Sequence, residues 1–99
     1  MSPQKLIEIK ALCNHYETEF SFVRTLHHIG LIDLQIVKEE YYISPDQVHD
    51  LEKMIRLHQE LNVNPEGIDV VFNLLEREKN LRDELIRLRN RLEGFEEMF

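Results

Sequence analysis

From Asn64-Pro65-Glu66 onward the chain meets no helix breaker until Gly94. Asn64 suits a helix cap and Pro65 the first helical position, where its missing amide costs nothing. A helix over 65–93 is expected, 29 residues and roughly 43 Å long at 1.5 Å per residue. A 99-residue chain buries only about 60–65% of its unfolded surface, so its core is too thin to cover such a helix. Ile68, Val71, Phe72 and Leu75 form a broad stripe suited to packing on a domain. Leu74, Leu81, Leu88 and Phe95 then recur every seven residues, with Val71, Leu85, Leu92 and Phe99 on the companion position and Glu78 interrupting that second row. Pairs such as Glu78 and Arg82 flank the seam. The expectation is a domain over 1–64 and a helix over 65–99 that packs on it and forms a dimer seam through Leu74, Leu81, Leu85, Leu88 and Leu92, parallel or antiparallel. The alternative is that these leucines fold back on their own domain.

Upstream, Ile9, Leu12, Cys13 and Tyr16 fall on one face of an amphipathic helix. Thr18 or Ser21 is placed to cap a second helix running through Leu26 and Ile29, and Gly30 suits its left-handed end. Two short helices a few residues apart make a helix-turn-helix. Leu31 to Val37 and Tyr41 to Ile43 are rich in β-branched and aromatic residues around Lys38-Glu39-Glu40, the pattern of a small hairpin without an Asn-Gly or Asp-Gly turn. Ser44-Pro45-Asp46-Gln47 then has the form of a capping box. The helix it opens turns Val48, Leu51, Ile55, Leu57, His58 and Leu61 inward and stops at Asn62-Val63-Asn64.

This order of helix-turn-helix, hairpin wing, capped helix, Asn/Pro turn and long helix resembles the MerR-type winged helix-turn-helix. Within it the chain is similar to the chaperone-modulator (CbpM) family. The likeness rests on Ile9 to Tyr16, Phe22 to Ile32, Leu51-Glu52-Lys53-Met54-Ile55-Arg56-Leu57-His58-Gln59-Glu60-Leu61, Gly67-Ile68, Leu74-Leu75 and the terminal leucines. It covers nearly the whole chain by pattern and order, with no catalytic signature. The resemblance implies a mainly α fold with a small β-hairpin wing and a long C-terminal helix, commonly dimeric. It also implies an adaptor that binds the J-domain of a DnaJ-like, CbpA-type co-chaperone and inhibits its action on a DnaK-type chaperone. J-domains of that kind present a basic helix.

Charge separates this reading from its rival, a DNA-binding MerR-type regulator. Twelve basic against nineteen acidic residues leave a formal net charge of −7. Nucleic-acid affinity comes largely from Lys and Arg on phosphates, so the sign opposes it and suits a basic protein partner. Residues 1–43 carry four basic side chains against six acidic ones, a net −2 where phosphate contacts belong. The second helix offers Arg24 as its only basic residue besides His27 and His28. Glu17 and Glu19 stand at its entrance, and Glu39 and Glu40 on the wing. Where DNA-binding relatives carry Arg-Tyr-Tyr, this chain reads Arg24-Thr25-Leu26-His27. The candidate partner contacts are Glu17, Glu19, Arg24, Glu39 and Glu40; a solvated surface with no partner is the plainer alternative. The rival would have to read bases through Arg24 and His27.

Chemistry beyond binding finds little support. Cys13 lies on an apolar helix face as a small core residue, and a lone cysteine suits a reducing cytosol. Cys13 and His15 point apart, as do His49 and His58, so no metal or other cofactor is expected. Of His27 and His28, one should face in and one out. No Gly-rich phosphate loop occurs, Ser21 and Ser44 serve better as caps, and a domain this thin lacks volume for a ligand pocket. A non-enzymatic, cytoplasmic protein is expected. The N-terminus has no apolar signal core, and no apolar run reaches membrane-spanning length.

Overall fold

The computed structural model describes residues 5–97, which form four helices and a small antiparallel sheet. In chain order these are β1 (Ile7–Glu8), α1 (Ile9–Tyr16), α2 (Phe20–Ile29), β2 (Gln35–Val37), β3 (Glu40–Ile43), α3 (Pro45–Leu61) and α4 (Pro65–Glu97). The fold is a mainly α winged helix-turn-helix. The sheet runs β1-β3-β2, with Ile7 opposite Ile43 on one side and Ile36 opposite Tyr41 on the other. β1 adds a strand to the expected hairpin. It is two residues long and falls within the short apolar-alternating stretch Leu6 to Ile9.

Helix ends follow local chemistry, though not always the expected residue. Neither Thr18 nor Ser21 caps α2. Glu19 occupies the N-cap in extended backbone, with no side-chain cap bond, and the Ser21 hydroxyl donates to the Glu19 carboxylate at 3.3 Å. At the other end Gly30 takes φ 94°, its amide meeting the His27 carbonyl and the Leu31 amide meeting the Leu26 carbonyl, each at 3.0 Å. That pair of bonds is a Schellman closure. The capping box at α3 does not form either. Ser44 makes no side-chain cap bond, and Gln47 Oε1 accepts instead from the Asp33 amide at 2.9 Å, tying the start of α3 to the approach to the wing. α4 begins as expected, with Asn64 Oδ1 accepting from the Gly67 amide at 2.8 Å. It does not stop near Gly94 but continues to Glu97, since a single interior glycine costs a helix only about 1 kcal/mol.

The chain divides into two compact units, the first ending at Asp69 and the second beginning at Val70. The first holds the core: Ile9 and Cys13 from α1, Phe22, Val23 and Leu26 from α2, Ile32, Ile43, Leu51, Met54 and Ile55 from α3, and Ile68. Each fully buried aliphatic in that set contributes on the order of 1.5–3 kcal/mol of transfer free energy. Leu61 is not among them. It is 68% exposed, because α3 reaches past the core in its last turn, and Met54 supplies the buried contact that the expected α3 face omitted. In the second unit the seam leucines are exposed. Phe99 of the companion row lies outside the described residues.

Candidate partner-binding surface

The five expected contact residues all belong to the first unit, but the fold distributes them. Glu17 closes α1 in left-handed backbone, φ 52°, and its carbonyl accepts from Gln59 Nε2 at 3.2 Å. The same amide donates to the Tyr16 carbonyl at 2.9 Å, binding the α1–α2 turn to α3. Glu19 stands at the positive end of the α2 dipole, where a carboxylate stabilises the helix whether or not a partner arrives. These two acids line a groove of about 300 Å³ with Thr18, Phe22, His58 and Gln59. Its floor is the Phe22 ring stacked on His58, centroids 4.2 Å apart at 15°, with Phe22 itself buried.

Glu39 and Glu40 lie elsewhere, on the wing. They join Ile9, Lys10, Phe20 and Tyr41 around a second groove of about 310 Å³. Glu40 faces Lys10 across 3.6 Å, an exposed ion pair that weakens with salt. Glu39 makes no ion pair among the described residues. The Phe20 and Tyr41 rings meet at 5.0 Å and 54°, both half-buried. Arg24 lines neither groove and lies exposed on α2, one turn beyond Phe20.

The turn between the wing strands explains this presentation. Lys38 and Glu39 both adopt left-handed backbone, φ 50° and 67°, the two-residue geometry that matches the twist of a hairpin. Asn and Gly are its usual occupants, so a Lys-Glu turn holds strain of order 1 kcal/mol or more per residue. Beside it, β2 is exposed at all three positions, and Ile36 and Val37 are 64% and 44% accessible. Sequence reading found the acids of this surface and missed its apolar half: Phe20, Ile36 and Tyr41. Ile36 and Val37 read as ordinary strand residues, and only the paucity of other residues to cover β2 marks them as exposed.

His27 and His58 serve the framework. His27 is half-buried and His28 exposed, as expected for adjacent helical residues. His27 and His58 each donate from Nδ1 to a carbonyl five residues on, Ile32 and Val63, at 3.1 Å. Among the described residues no three His, Cys, Asp or Glu side chains gather as metal ligands. No helix among them is long and apolar enough to cross a membrane. Burial pushes the Cys13 thiol above its ordinary pKa, away from the reactive thiolate.

Along α4, Leu74, Leu81, Leu85, Leu88 and Leu92 are between 54% and 61% exposed, and Phe95 is 59%. Glu78, which interrupts the row, pairs with Arg82 one turn on. The charge is unevenly spread. Residues up to Asp69 carry six basic and twelve acidic side chains, a net −6, while those from Val70 carry six and seven.

A family model described as the MerR HTH family regulatory protein matches residues 7–90. The chain belongs to this MerR helix-turn-helix family. The match spans the winged domain and most of α4, so the long helix belongs to the shared architecture. The chain is also similar to two relatives named chaperone modulatory protein CbpM, from Pseudomonas entomophila and Pseudomonas putida. Each is 27% identical over 93 residues, covering 93% of this chain and 92% of the relative. No solved structure matches the chain significantly.

Proposed function

We propose that this protein is a chaperone modulator, a non-enzymatic adaptor that binds the J-domain of a DnaJ-like, CbpA-type co-chaperone and inhibits its action on a DnaK-type chaperone. The observation that carries the reading is end-to-end similarity to proteins named for chaperone modulation, over 93% of the chain. The acidic bias of the winged domain supports it, because a net −6 favours approach of a basic protein surface. Glu17, Glu19, Arg24, Glu39 and Glu40 are the charged contacts from which the binding face is drawn. The protein acts in the cytoplasm as a homodimer, paired through Leu74, Leu81, Leu85, Leu88 and Leu92. The test is reconstitution: purified co-chaperone, its DnaK-type partner and ATP, with this protein titrated in. Co-chaperone-stimulated ATP hydrolysis should fall to the basal rate at a near-stoichiometric ratio. Unchanged stimulation, with no complex by calorimetry, rejects the reading.

The second reading, a DNA-binding transcriptional regulator, is favoured by the family model's own description. It requires base contacts from Arg24, which is exposed, and from His27, which is half-buried with Nδ1 on the Ile32 carbonyl, on a helix that offers no other strong cation. Filter binding to genomic fragments separates the two. Site-specific retention with a steep salt slope supports the regulator, and its absence leaves the adaptor.

A further inference from the structure

The fold offers two acidic grooves in one domain, and they differ in what else they expose. In the Glu17–Glu19 groove the aromatic side chain is already used, since Phe22 is 8% accessible and covered by His58. The turn carrying Glu17 is tied down through its carbonyl by Gln59. In the wing groove the rings of Phe20 and Tyr41 retain accessible area. Ile36 lies directly across the sheet from Tyr41, and Val37 across from Glu40. The apolar floor therefore continues onto β2 through Ile36, which shares the face of Tyr41 and lies in water, while Val37 points to the opposite face. Interface anchors of the energetic kind are accessible aromatic and aliphatic groups beside a polar rim.

Charge at the rim selects the occupant. Among the groove's lining residues Lys10 is balanced by Glu40 at 3.6 Å, which leaves Glu39 as the one charge there with no ion pair among the described residues; Lys38, its exposed neighbour in the turn, does not line the groove. A strained Lys38-Glu39 turn holds it at the tip of the wing. An Asn-Gly turn would relieve the strain and remove the carboxylate, so the strain persists together with the group it presents.

Resting on the adaptor reading, we propose that the wing groove, and not the Glu17–Glu19 groove, receives the partner. Its occupant is an amphipathic helix that lays an apolar side chain against Phe20, Tyr41 and Ile36 and sets a Lys or Arg, one turn away, against Glu39. Residues three or four apart on a helix share a face, which lets one segment satisfy both requirements. The β2 edge is only three residues long, too short to hold an added strand by backbone bonds alone.

The experiment is calorimetry of the full chain against the isolated J-domain of a CbpA-type co-chaperone, with Ile36→Ser, Glu39→Lys and Glu17→Lys, and Asp50→Lys and Glu60→Lys as charge-matched controls. Ile36 and Glu39 are exposed, so a thermal melt should confirm intact folding of both variants. Ile36→Ser and Glu39→Lys should each weaken binding at least tenfold, and the Glu39→Lys effect should shrink in high salt. Equal weakening by Glu39→Lys and the two controls would mean that only net charge matters, which overturns the proposal. So would weakening by Glu17→Lys with Ile36→Ser unaffected. No binding by the wild-type chain rejects the adaptor reading itself. Binding that ignores both wing substitutions rejects the wing groove alone.

Discussion

Tyr16 joins α1 to α3 by donating its hydroxyl to the Glu52 carboxylate. That bond, then burial, then the negative charge of Glu52 raise the phenol above its ordinary pKa, with Arg56 pulling the other way. A pKa raised on folding means that the contribution is complete at neutral pH. It is lost as pH climbs from about 10, the ordinary phenol value, through the higher folded value. Urea midpoints measured across that alkaline range should fall more steeply for the wild type than for Tyr16→Phe; parallel curves would remove Tyr16 from the account. Gly67 is constrained differently. A Cβ there would lie 2.8 Å from Val63 Cγ1 and 3.0 Å from Asn64 Oδ1, the atom capping α4. Gly67→Ala should therefore cost about 1 kcal/mol despite alanine's better helix propensity, and a simultaneous Val63→Ala should recover most of it. Thermal melts of the three proteins check this. Asn64, Pro65 and Gly30 were legible in the sequence because their roles are local, a side-chain cap within one turn for Asn64 and backbone preference for Pro65 and Gly30. The Tyr16–Glu52 bond spans 36 positions and has no local signal.

Among the elements, the wing departs furthest from what local rules give. Lys38-Glu39 has no turn signature, so the hairpin was recognisable from its flanking strands while its geometry was not. Replacing the pair by Asn-Gly should stabilise the protein by about 1 kcal/mol, a rise of roughly 4–8 °C in Tm for a domain of this size. The same change deletes Glu39 and should weaken partner binding. A melt and a titration on one sample read both effects, and a variant with higher Tm and undiminished affinity would deny the turn any functional role. α3 gives the converse case. Ser44-Pro45-Asp46-Gln47 correctly placed the helix start, yet Gln47 reaches the Asp33 amide and not the cap. A side chain with two possible acceptor duties is assigned by tertiary structure, which local spacing does not contain. The acidic candidates divided for a related reason: the sequence grouped Glu17 and Glu19 at the helix entrance with Glu39 and Glu40 on the wing as one candidate contact set, and the fold gave each pair its own groove.

For the whole molecule, the heptad row on α4 sets the expected assembly. The leucines at 74, 81, 85, 88 and 92 are each more than half exposed, and an a/d row of this length on an uncovered helix calls for a second helix. Leu81→Glu with Leu88→Glu should convert a dimer to a monomer by light scattering, while the circular dichroism of the winged domain survives. A dimer that persists would place the interface elsewhere. Cys13 supplies a means of observing the molecule as a whole. It is the sole sulfhydryl, it sits in the core of the winged domain, and burial keeps it protonated. A maleimide or disulfide dye meets a thiol that is 9% accessible and labels it fastest when the domain opens, and no second site contributes background. Labelling rate against reagent concentration thus clocks spontaneous opening under native conditions, and a bound partner that holds the domain shut should slow that clock.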